Sequence, residues 1–337
     1  MSLKADKKSP VVFKGMVVQA GSVQKASLYV FLGMLCISIN DLLVKQFSKS
    51  YPLHEIIFIR SLIAILLILL LVKSEGGLKI LKTQQPIQHA LRAVAIFLCK
   101  MIFFSAIATL PLATATALFF VAPIFITLLS IPLLGEKVGV RRLLAVITGF
   151  AGVFIMMKPN TWAMSVIPPF IYFLPVIAAV LYALMQIMTR KLSKSSKPAA
   201  LAFYIQLTFV IFSLIFGFIF GDGKLADVSS NTSLQFILKG WSDPEISDLP
   251  YFVALGFLAA GVSYFMSKAY STAAAASVAP FEYVLLPLSI FWGWTFFGDI
   301  PDLYIFTGII FIVGSGLYVL IREKKKEIPS SFRPNKS

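Results

Sequence analysis

Apolar residues run along this chain in ten long stretches, which short polar segments separate. A helix that crosses a bilayer needs about 20 mostly apolar residues, and the stretches have about that length. The pattern therefore predicts ten transmembrane helices, although two pairs of stretches are nearly continuous and leave nine as an alternative count. The predicted helices cover residues 26–46, 54–73, 88–110, 111–134, 138–157, 166–189, 198–220, 250–270, 272–297 and 301–321.

The distribution of basic residues favours ten helices over nine. With the N-terminus in the cytoplasm, ten helices place 23 of the 30 Lys and Arg in cytoplasmic segments, with Arg92 counted among them. Five more fall in external segments, and two, Arg60 and Lys100, lie within helices. Cytoplasmic segments of membrane proteins carry such an excess of Lys and Arg. We therefore expect both termini to be cytoplasmic.

The composition excludes a soluble protein. Of the 337 residues, 58% are hydrophobic and 13% are charged, and the mean hydropathy is +0.87. A net charge of +15 would suggest a nucleic-acid partner for a soluble domain, but here the cytoplasmic bias of Lys and Arg accounts for it. No nucleic-acid partner is predicted, and residues 1–25 lack the small-residue cleavage site of a signal peptide.

Two segments of the chain share an order of residues that indicates an internal repeat. In each, an intramembrane proline, Pro123 or Pro287, precedes a glycine–acid pair by about a dozen residues. Small residues, which let helices in lipid approach closely, follow at matching distances after the acid. The matching residues are Gly135, Glu136, Ala145 and Gly152 in the first segment and Gly298, Asp299, Gly308 and Ser315 in the second.

A repeat of five helices is odd in number, so successive repeats insert with opposite orientations. Inverted repeats place a binding site near the bilayer midplane, where the two halves meet. We therefore predict an all-α fold with ten transmembrane helices in two inverted five-helix repeats. The predicted parts are a cytoplasmic segment 1–25, repeats 26–157 and 158–321, and a basic cytoplasmic tail 322–337, with an acidic external loop 221–249 in the second repeat.

Three stretches of the chain form a recognisable pattern: HEIIFIRSLIA at 54–64, LPLATATALFFVAPIFITLLSIPLLGEKVGVRRLLAVITGFAGVFIMMKP at 110–159, and FEYVLLPLSIFWGWTFFGDIPDLYIFTGIIFIVGSGLYVLIRE at 281–323. These stretches resemble the EamA family of the drug/metabolite transporter superfamily. The pattern is most similar to a bacterial branch that includes S-adenosylmethionine and riboflavin uptake proteins. The resemblance implies a central cavity between inverted repeats and a place in the bacterial inner membrane, whereas the long loop 221–249 departs from the family.

Four of the charged residues in the predicted helices lie at least five residues from either helix end. Lys100 and Glu282 lie about 18 Å and about 15 Å from the cytoplasmic side at ~1.5 Å per residue, which places them at one depth. Asp41 and Arg60 share a shallower level toward the outside. Because a charge in lipid is costly without a partner, we predict a central Lys100–Glu282 group and an outer Asp41–Arg60 group, which Lys45 and Glu55 are candidates to join.

Each group has a functional and a structural interpretation. Lys100 and Glu282 are candidates for binding or coupling, since a buried carboxyl that exchanges a proton is what a proton relay requires, but a fixed ion pair is the alternative. Asp41 and Arg60 are candidates for an outer gate or a structural clamp. Further candidates are polar or aromatic residues of the predicted helices. They are Thr116, Phe119, Tyr182, Gln186, Tyr264 and Tyr283.

Competing functional classes lack their signatures. The two histidines lie 35 residues apart without a helically spaced acid or cysteine, so that no metal site and no cofactor is predicted. The sequence contains no nucleophile motif of the kind that would indicate a membrane enzyme. It also contains no repeated carbonyl-rich loop of the kind that would indicate a channel. A drug exporter of the same fold is a further alternative.

The sequence therefore predicts a secondary transporter for a small organic metabolite, such as an amino acid, S-adenosylmethionine or a vitamin, that works by alternating access. The expected partners are this solute, the lipid bilayer and a coupling proton. Substrate identity, import or export, and oligomeric state stay open at this point.

Overall fold

The chain folds into α-helices, preceded by a short β-hairpin. The computed structural model describes residues 11–13, 16–18, 20–134, 140–156, 167–224, 232–272 and 279–327. The strands are β1 (Val11–Phe13) and β2 (Met16–Val18), which pair antiparallel. The helices are α1 (Ala20–Phe47), α2 (Leu53–Glu75), α3 (Pro86–Thr109), α4 (Leu112–Phe119), α5 (Ala122–Leu134), α6 (Val140–Met156), α7 (Pro169–Leu192), α8 (Pro198–Phe220), α9 (Thr232–Leu238), α10 (Leu249–Thr272), α11 (Leu285–Phe297) and α12 (Leu303–Glu327). Short 3₁₀ turns occupy Leu78–Leu81, Ile246–Asp248 and Ala279–Val284.

Helix covers most of the described residues of the predicted apolar runs. Helices α1, α2, α3, α7, α8 and α10 are long and apolar enough to cross a membrane, and shorter apolar helices occupy the other runs. Large apolar side chains face outward, such as Leu66 at 67% exposure and Phe218 at 94%. An apolar exterior of this kind marks a surface that meets lipid. The protein is a helical polytopic membrane protein, and the count of ten crossings stays a prediction.

The fourth and ninth predicted helices are interrupted in the structure. Helix α4 ends at Phe119, and the chain turns through Phe120 and Val121 before α5 begins. Pro123 is the second residue of α5, where its missing N–H costs no helical hydrogen bond. In the ninth run, the 3₁₀ turn Ala279–Val284 leads directly into α11. Both apolar runs therefore contain a change of helix geometry.

The most extensive helix packing joins the two halves of the chain. Helix α1 packs along α10, α3 along α7, α2 along α8 and α6 along α12. In each pair one helix precedes residue 157 and the other follows residue 166. The core of buried apolar residues is therefore shared between the halves rather than divided into two separate cores.

Small residues allow α6 and α12 to approach closely, as the sequence indicated. A Cβ atom added at Gly152 would lie 2.8 Å from the carbonyl oxygen of Gly308, and one at Gly308 would lie 2.7 Å from that of Gly152. Ser315 Oγ lies 3.1 Å from the Cβ position of Gly149. The side chain of Ala145 and the predicted Gly135–Glu136 pair lie outside the described residues.

The second glycine–acid pair ends a helix. Gly298 follows α11 with φ of +67°, in the left-handed region that glycine occupies without strain. The N–H of Asp299 donates to the carbonyl of Gly293 at 3.0 Å. Its carboxylate lies 4.0 Å from Lys45 Nζ.

The described part of loop 221–249 folds onto one end of the helix bundle, which we call the cap end. Phe236 of α9 is 2% exposed, and the Tyr51 hydroxyl donates to Asp248 at 2.7 Å. The N–H of Ser242 donates to the Glu55 carboxylate at 3.1 Å. The loop is therefore packed against the connection between α1 and α2, against α2 and against α3, and its residues 225–231 lie outside the described part of the chain.

The opposite end of the bundle, which we call the basic end, carries a polar cluster around Glu75. Its carboxylate accepts hydrogen bonds from Tyr264 at 2.9 Å and from the N–H of Ala199 at 3.2 Å. Lys268 Nζ lies 3.7 Å away, and Lys197 donates to the Glu75 carbonyl. This cluster ties the end of α2 to α8 and α10.

The α6–α12 contact predicts the effect of adding one methyl group. We expect Gly308→Ala to lower the free energy of unfolding by about 1–3 kcal/mol, because the new Cβ meets backbone that cannot move aside. Gly314→Ala is the matched control, since no atom lies within 4 Å of its Cβ position, and we expect it to be neutral or stabilising by about 1 kcal/mol or less. Unfolding in detergent measures the change in stability of both variants. Equal changes would contradict the close approach of α6 and α12 at Gly308.

Candidate substrate-binding site

A cavity of about 980 Å³, including its open mouth, lies between helices of both halves. Its walls come from α1, α2, α3, α4, α7, α8, α10 and the turn Ala279–Val284 with the start of α11. The walls are mostly apolar and aromatic, with Phe103, Phe119, Phe120 and Phe209 among them. Five charged residues line the same space: Asp41, Arg60, Arg92, Lys100 and Glu282.

One polar group in the cavity centres on Asp41 of α1, which is 2% exposed. Lys100 Nζ lies 3.9 Å from its carboxylate, and Asn40 Nδ2 donates to that carboxylate at 3.2 Å. Arg60 Nη1 in turn donates to Asn40 Oδ1 at 2.6 Å. Asp41 is therefore the acidic partner of two cations. Lys100 approaches it directly, and Arg60 is linked to it through the side chain of Asn40.

Aromatic rings flank the same two cations. The Arg60 guanidinium lies 5.2 Å from the centroid of Phe104 and 5.8 Å from that of Phe209. Lys100 Nζ lies 5.1 Å from the Phe104 centroid. A cation within about 6 Å of a ring face is attracted by the ring, so Phe104 contributes to holding both charges inside the bundle.

A second polar group centres on Glu282, which is 3% exposed. Its carboxylate accepts hydrogen bonds from the hydroxyls of Tyr182, at 3.1 Å, and Tyr270. Gln186 Nε2 donates to the Tyr182 oxygen at 2.6 Å. In the part of the chain that the structure describes, no basic side chain lies within 4 Å of this carboxylate. Glu282 is therefore held by neutral donors from α7 and α10.

The structure pairs the charges differently from the sequence analysis. Lys100 contacts Asp41 instead of Glu282, although both carboxylates line its cavity. Depth along a helix predicts which groups lie at one level, but the rotation of each helix, which decides the partner, does not follow from depth. The long lysine side chain also reaches beyond the level of its own Cα atom.

The two residues proposed to join the outer group instead lie at the cap end. Lys45 donates to the carbonyls of Leu110 at 2.6 Å and Ile107 at 3.2 Å, where α3 ends. Glu55 accepts from Ser242 of the capping loop. Both therefore bind backbone groups at the cap end, Lys45 at the end of α3 and Glu55 in the capping loop.

The other predicted site residues divide into two sets. Phe119, Tyr182 and Gln186 line the cavity. Thr116 is buried within α4, and Tyr283 is buried with its ring 5.3 Å from that of Phe120; neither is among the lining residues. Tyr264 binds Glu75 at the basic end.

Sequence reasoning missed several polar residues of the cavity. Arg92 was counted with the basic residues outside the bilayer, but it is 1% exposed and lines the cavity. Its spacing was the available signal, because Arg92, Ile96 and Lys100 recur every four residues on one helix face. The roles of Asn40 and Tyr270 as hydrogen-bond partners carry no comparable signal in the sequence.

Comparison with known proteins decides the family. A model of the EamA-like transporter family matches residues 24–158. A riboflavin transporter of Vibrio cholerae is 30% identical over 277 residues, which are 82% of this chain and 85% of that protein. The chain belongs to the EamA-like transporter family. Within this family, an S-adenosylmethionine uptake transporter of Rickettsia prowazekii is 25% identical over 294 residues, 87% of this chain and 92% of that protein.

Two further comparisons agree with this assignment. A riboflavin transporter of Rhizobium johnstonii is 30% identical over 251 residues, 74% of this chain and 76% of that protein. One solved crystal structure shares the fold, with a TM-score of 0.64 and 17% identity over 90% of this chain and 99% of the other. As an EamA-like protein of the drug/metabolite transporter superfamily, the chain is an integral membrane transporter of small molecules and not an enzyme.

The contact between Lys100 and Asp41 predicts an energetic coupling that a double-mutant cycle measures. Removing one partner leaves a buried charge unpaired, so the single variants Lys100→Met and Asp41→Asn are each expected to be destabilised. The double variant is expected to lose less than the sum, with a coupling of about 0.5–3 kcal/mol. The matched cycle of Lys100→Met with Glu282→Gln is expected to show a smaller coupling. Unfolding in detergent measures both coupling energies. A larger coupling of Lys100 with Glu282 than with Asp41 would support the pairing predicted from sequence.

Proposed function

We propose that this EamA-like protein is a secondary active transporter, which moves a small organic metabolite across the bacterial inner membrane by alternating access. The observation that carries the proposal is the shared cavity. Charged groups of α1, α2 and α3 from the first half face Tyr182 of α7, Gln206 of α8 and Glu282 from the second. A solute bound there contacts both halves, so that a movement of one half against the other changes its access.

Two inverted five-helix repeats with ten crossings account for the packing. The proposed repeats, 26–157 and 158–321, match α1 with α7, α2 with α8, α3 with α10 and α6 with α12. Since α1 matches α7 and α10 matches α3, the contact between α1 and α10 in one repeat relation corresponds to the contact between α7 and α3 in the other. Both contacts are among the most extensive in the protein. The two interrupted runs, α4–α5 and the turn leading into α11, also correspond. A two-fold axis through the cavity would produce such an arrangement.

The proposed orientation places both termini in the cytoplasm. The cap end then faces outside, and the basic end with Glu75 and Lys197 faces inside, in agreement with the excess of Lys and Arg expected there. Residues 1–25 and 322–337 are the proposed cytoplasmic extensions. The capping loop then covers the external side of the α1–α2 connection and the external ends of α2 and α3.

Within the cavity we propose two roles. Lys100, Asp41 and Arg60 bind the polar part of the solute, and the aromatic walls with Phe119 contact its apolar part. Glu282, with Tyr182 and Gln186, binds the coupling proton, which its position in the cavity and its neutral donors support. The relatives named as riboflavin and S-adenosylmethionine transporters suggest a heterocyclic metabolite as the solute.

Proton coupling through Glu282 predicts a separation of two activities. In proteoliposomes, Glu282→Gln is expected to lose solute uptake driven by a pH gradient, because the amide cannot carry a proton. Exchange of labelled for unlabelled solute at equal pH is expected to continue, because exchange needs no net proton movement. Riboflavin and S-adenosylmethionine are the first solutes to test.

The control for this experiment is Asp222→Asn, which removes a half-exposed carboxylate beside Lys224 at the cap end. It is expected to leave both activities unchanged. Uptake in Glu282→Gln that still follows the pH gradient would remove Glu282 from the coupling mechanism, and absence of saturable exchange by the unaltered protein would contradict the transport proposal for these solutes.

A further inference from the structure

Arg92 has a position in the cavity that its contacts within the protein do not explain. It projects from α3 about two turns from Lys100 toward the basic end, a separation of about 12 Å along the helix at 1.5 Å per residue. Its side chain lines the cavity and belongs to the largest fully buried groups of the described residues. We propose that Arg92 is an anion-binding subsite, which takes a carboxylate or phosphate group of the transported solute. The inference deepens the proposed transport function and rests on it.

The protein positions the guanidinium but leaves part of it unused. Nε donates to Thr189 Oγ1 at 2.7 Å, and Nη1 donates to the carbonyl of Leu201 at 3.0 Å. These bonds come from α7 and α8 and fix the plane of the group. An arginine has five N–H donors, so three have no acceptor among the described residues and remain for a ligand. A planar group with adjacent free donors fits a carboxylate or phosphate through two parallel hydrogen bonds.

The charges of the cavity leave Arg92 without a counter-ion. Among the described residues, no carboxylate lies within 4 Å of its guanidinium. Asp41 is engaged by Lys100 and, through Asn40, by Arg60. Glu282 is engaged by Tyr182 and Tyr270. With all five groups ionised, the cavity lining carries three positive and two negative charges.

A buried charge without a partner is strongly unfavourable, in lipid as in a protein interior. The neutral acceptors Thr189 and Leu201 supply hydrogen bonds but no opposite charge. A solute that carries an anionic group supplies the missing charge when it binds. The rest of the cavity lining is mostly apolar and aromatic, so the geometry fits a small organic anion whose body lies against these walls.

The test uses simple anions as probes, because they need no knowledge of the solute. The thermal unfolding midpoint of the purified full chain in detergent is compared in sodium phosphate, sodium acetate and sodium chloride at one ionic strength. A ligand that binds the folded state but not the unfolded state raises the midpoint further as its concentration exceeds its dissociation constant. We expect phosphate, acetate or both to raise it above chloride in this concentration-dependent way, and the comparison of the two identifies the preferred group.

Substitutions at Arg92 test whether the anions raise the unfolding midpoint by binding at this residue. Arg92→Gln is expected to weaken the apparent anion affinity by about tenfold or more, since it removes the charged partner of a buried pair. Arg92→Lys keeps the charge without the planar group and is expected to retain a reduced response. Lys191→Gln, at an exposed position near the end of α7, is the matched control and is expected to respond like the unaltered protein.

The outcomes separate this inference from the transport proposal. Equal midpoints of the unaltered protein in phosphate, acetate and chloride would overturn the subsite without any variant. So would a full anion response in Arg92→Gln. If either result is found together with saturable solute exchange in proteoliposomes, the subsite is overturned and the transport function stands. An Arg92-dependent anion response without solute exchange would instead support the subsite and contradict the transport function.

Discussion

The absence of water in the hydrocarbon of a bilayer constrains the rest of this structure. Every polar group at that depth needs a partner within the protein, so the charged side chains turn inward and large apolar side chains such as Phe218 turn outward. Helices cannot rely on hydrophobic burial alone to associate in lipid and need close contact instead. The approach of Gly152 to Gly308 and the shared core between the two halves are consequences of this requirement.

The same constraint concentrates chemistry in one cavity. Asp41 neutralises Lys100 and reaches Arg60 through Asn40, and Glu282 is held by tyrosine hydroxyls. The interruptions of the fourth and ninth helical runs contribute directly, because Phe119 ends α4 and Glu282 lies in the 3₁₀ turn before α11. Broken helices at membrane depth are tolerated where they line a cavity, and here they place an aromatic wall and a carboxylate in it.

Much of the architecture was predictable because it depends on local properties of the chain. The apolar runs coincide with helices, and the small residues after the glycine–acid pairs mark a close helix contact. Lys100, Glu282, Asp41 and Arg60 all face the cavity, because lipid excludes them from the outer surface. The partner of Lys100 and the buried position of Arg92 were not predictable in this way, since they depend on how α1, α3 and α7 are rotated and offset against one another.

The sequence by itself determined that the chain is helical, that it lies in a membrane, and that its few intramembrane charges face inward. These properties follow from the cost of transferring each residue type from water to hydrocarbon. The tertiary structure decided which charges meet, which tyrosines hold Glu282, and that Arg92 lines the cavity with no counter-ion in the described part of the chain. Some of these contacts join residues a hundred or more positions apart in the chain. Only the packed arrangement of the helices therefore defines them.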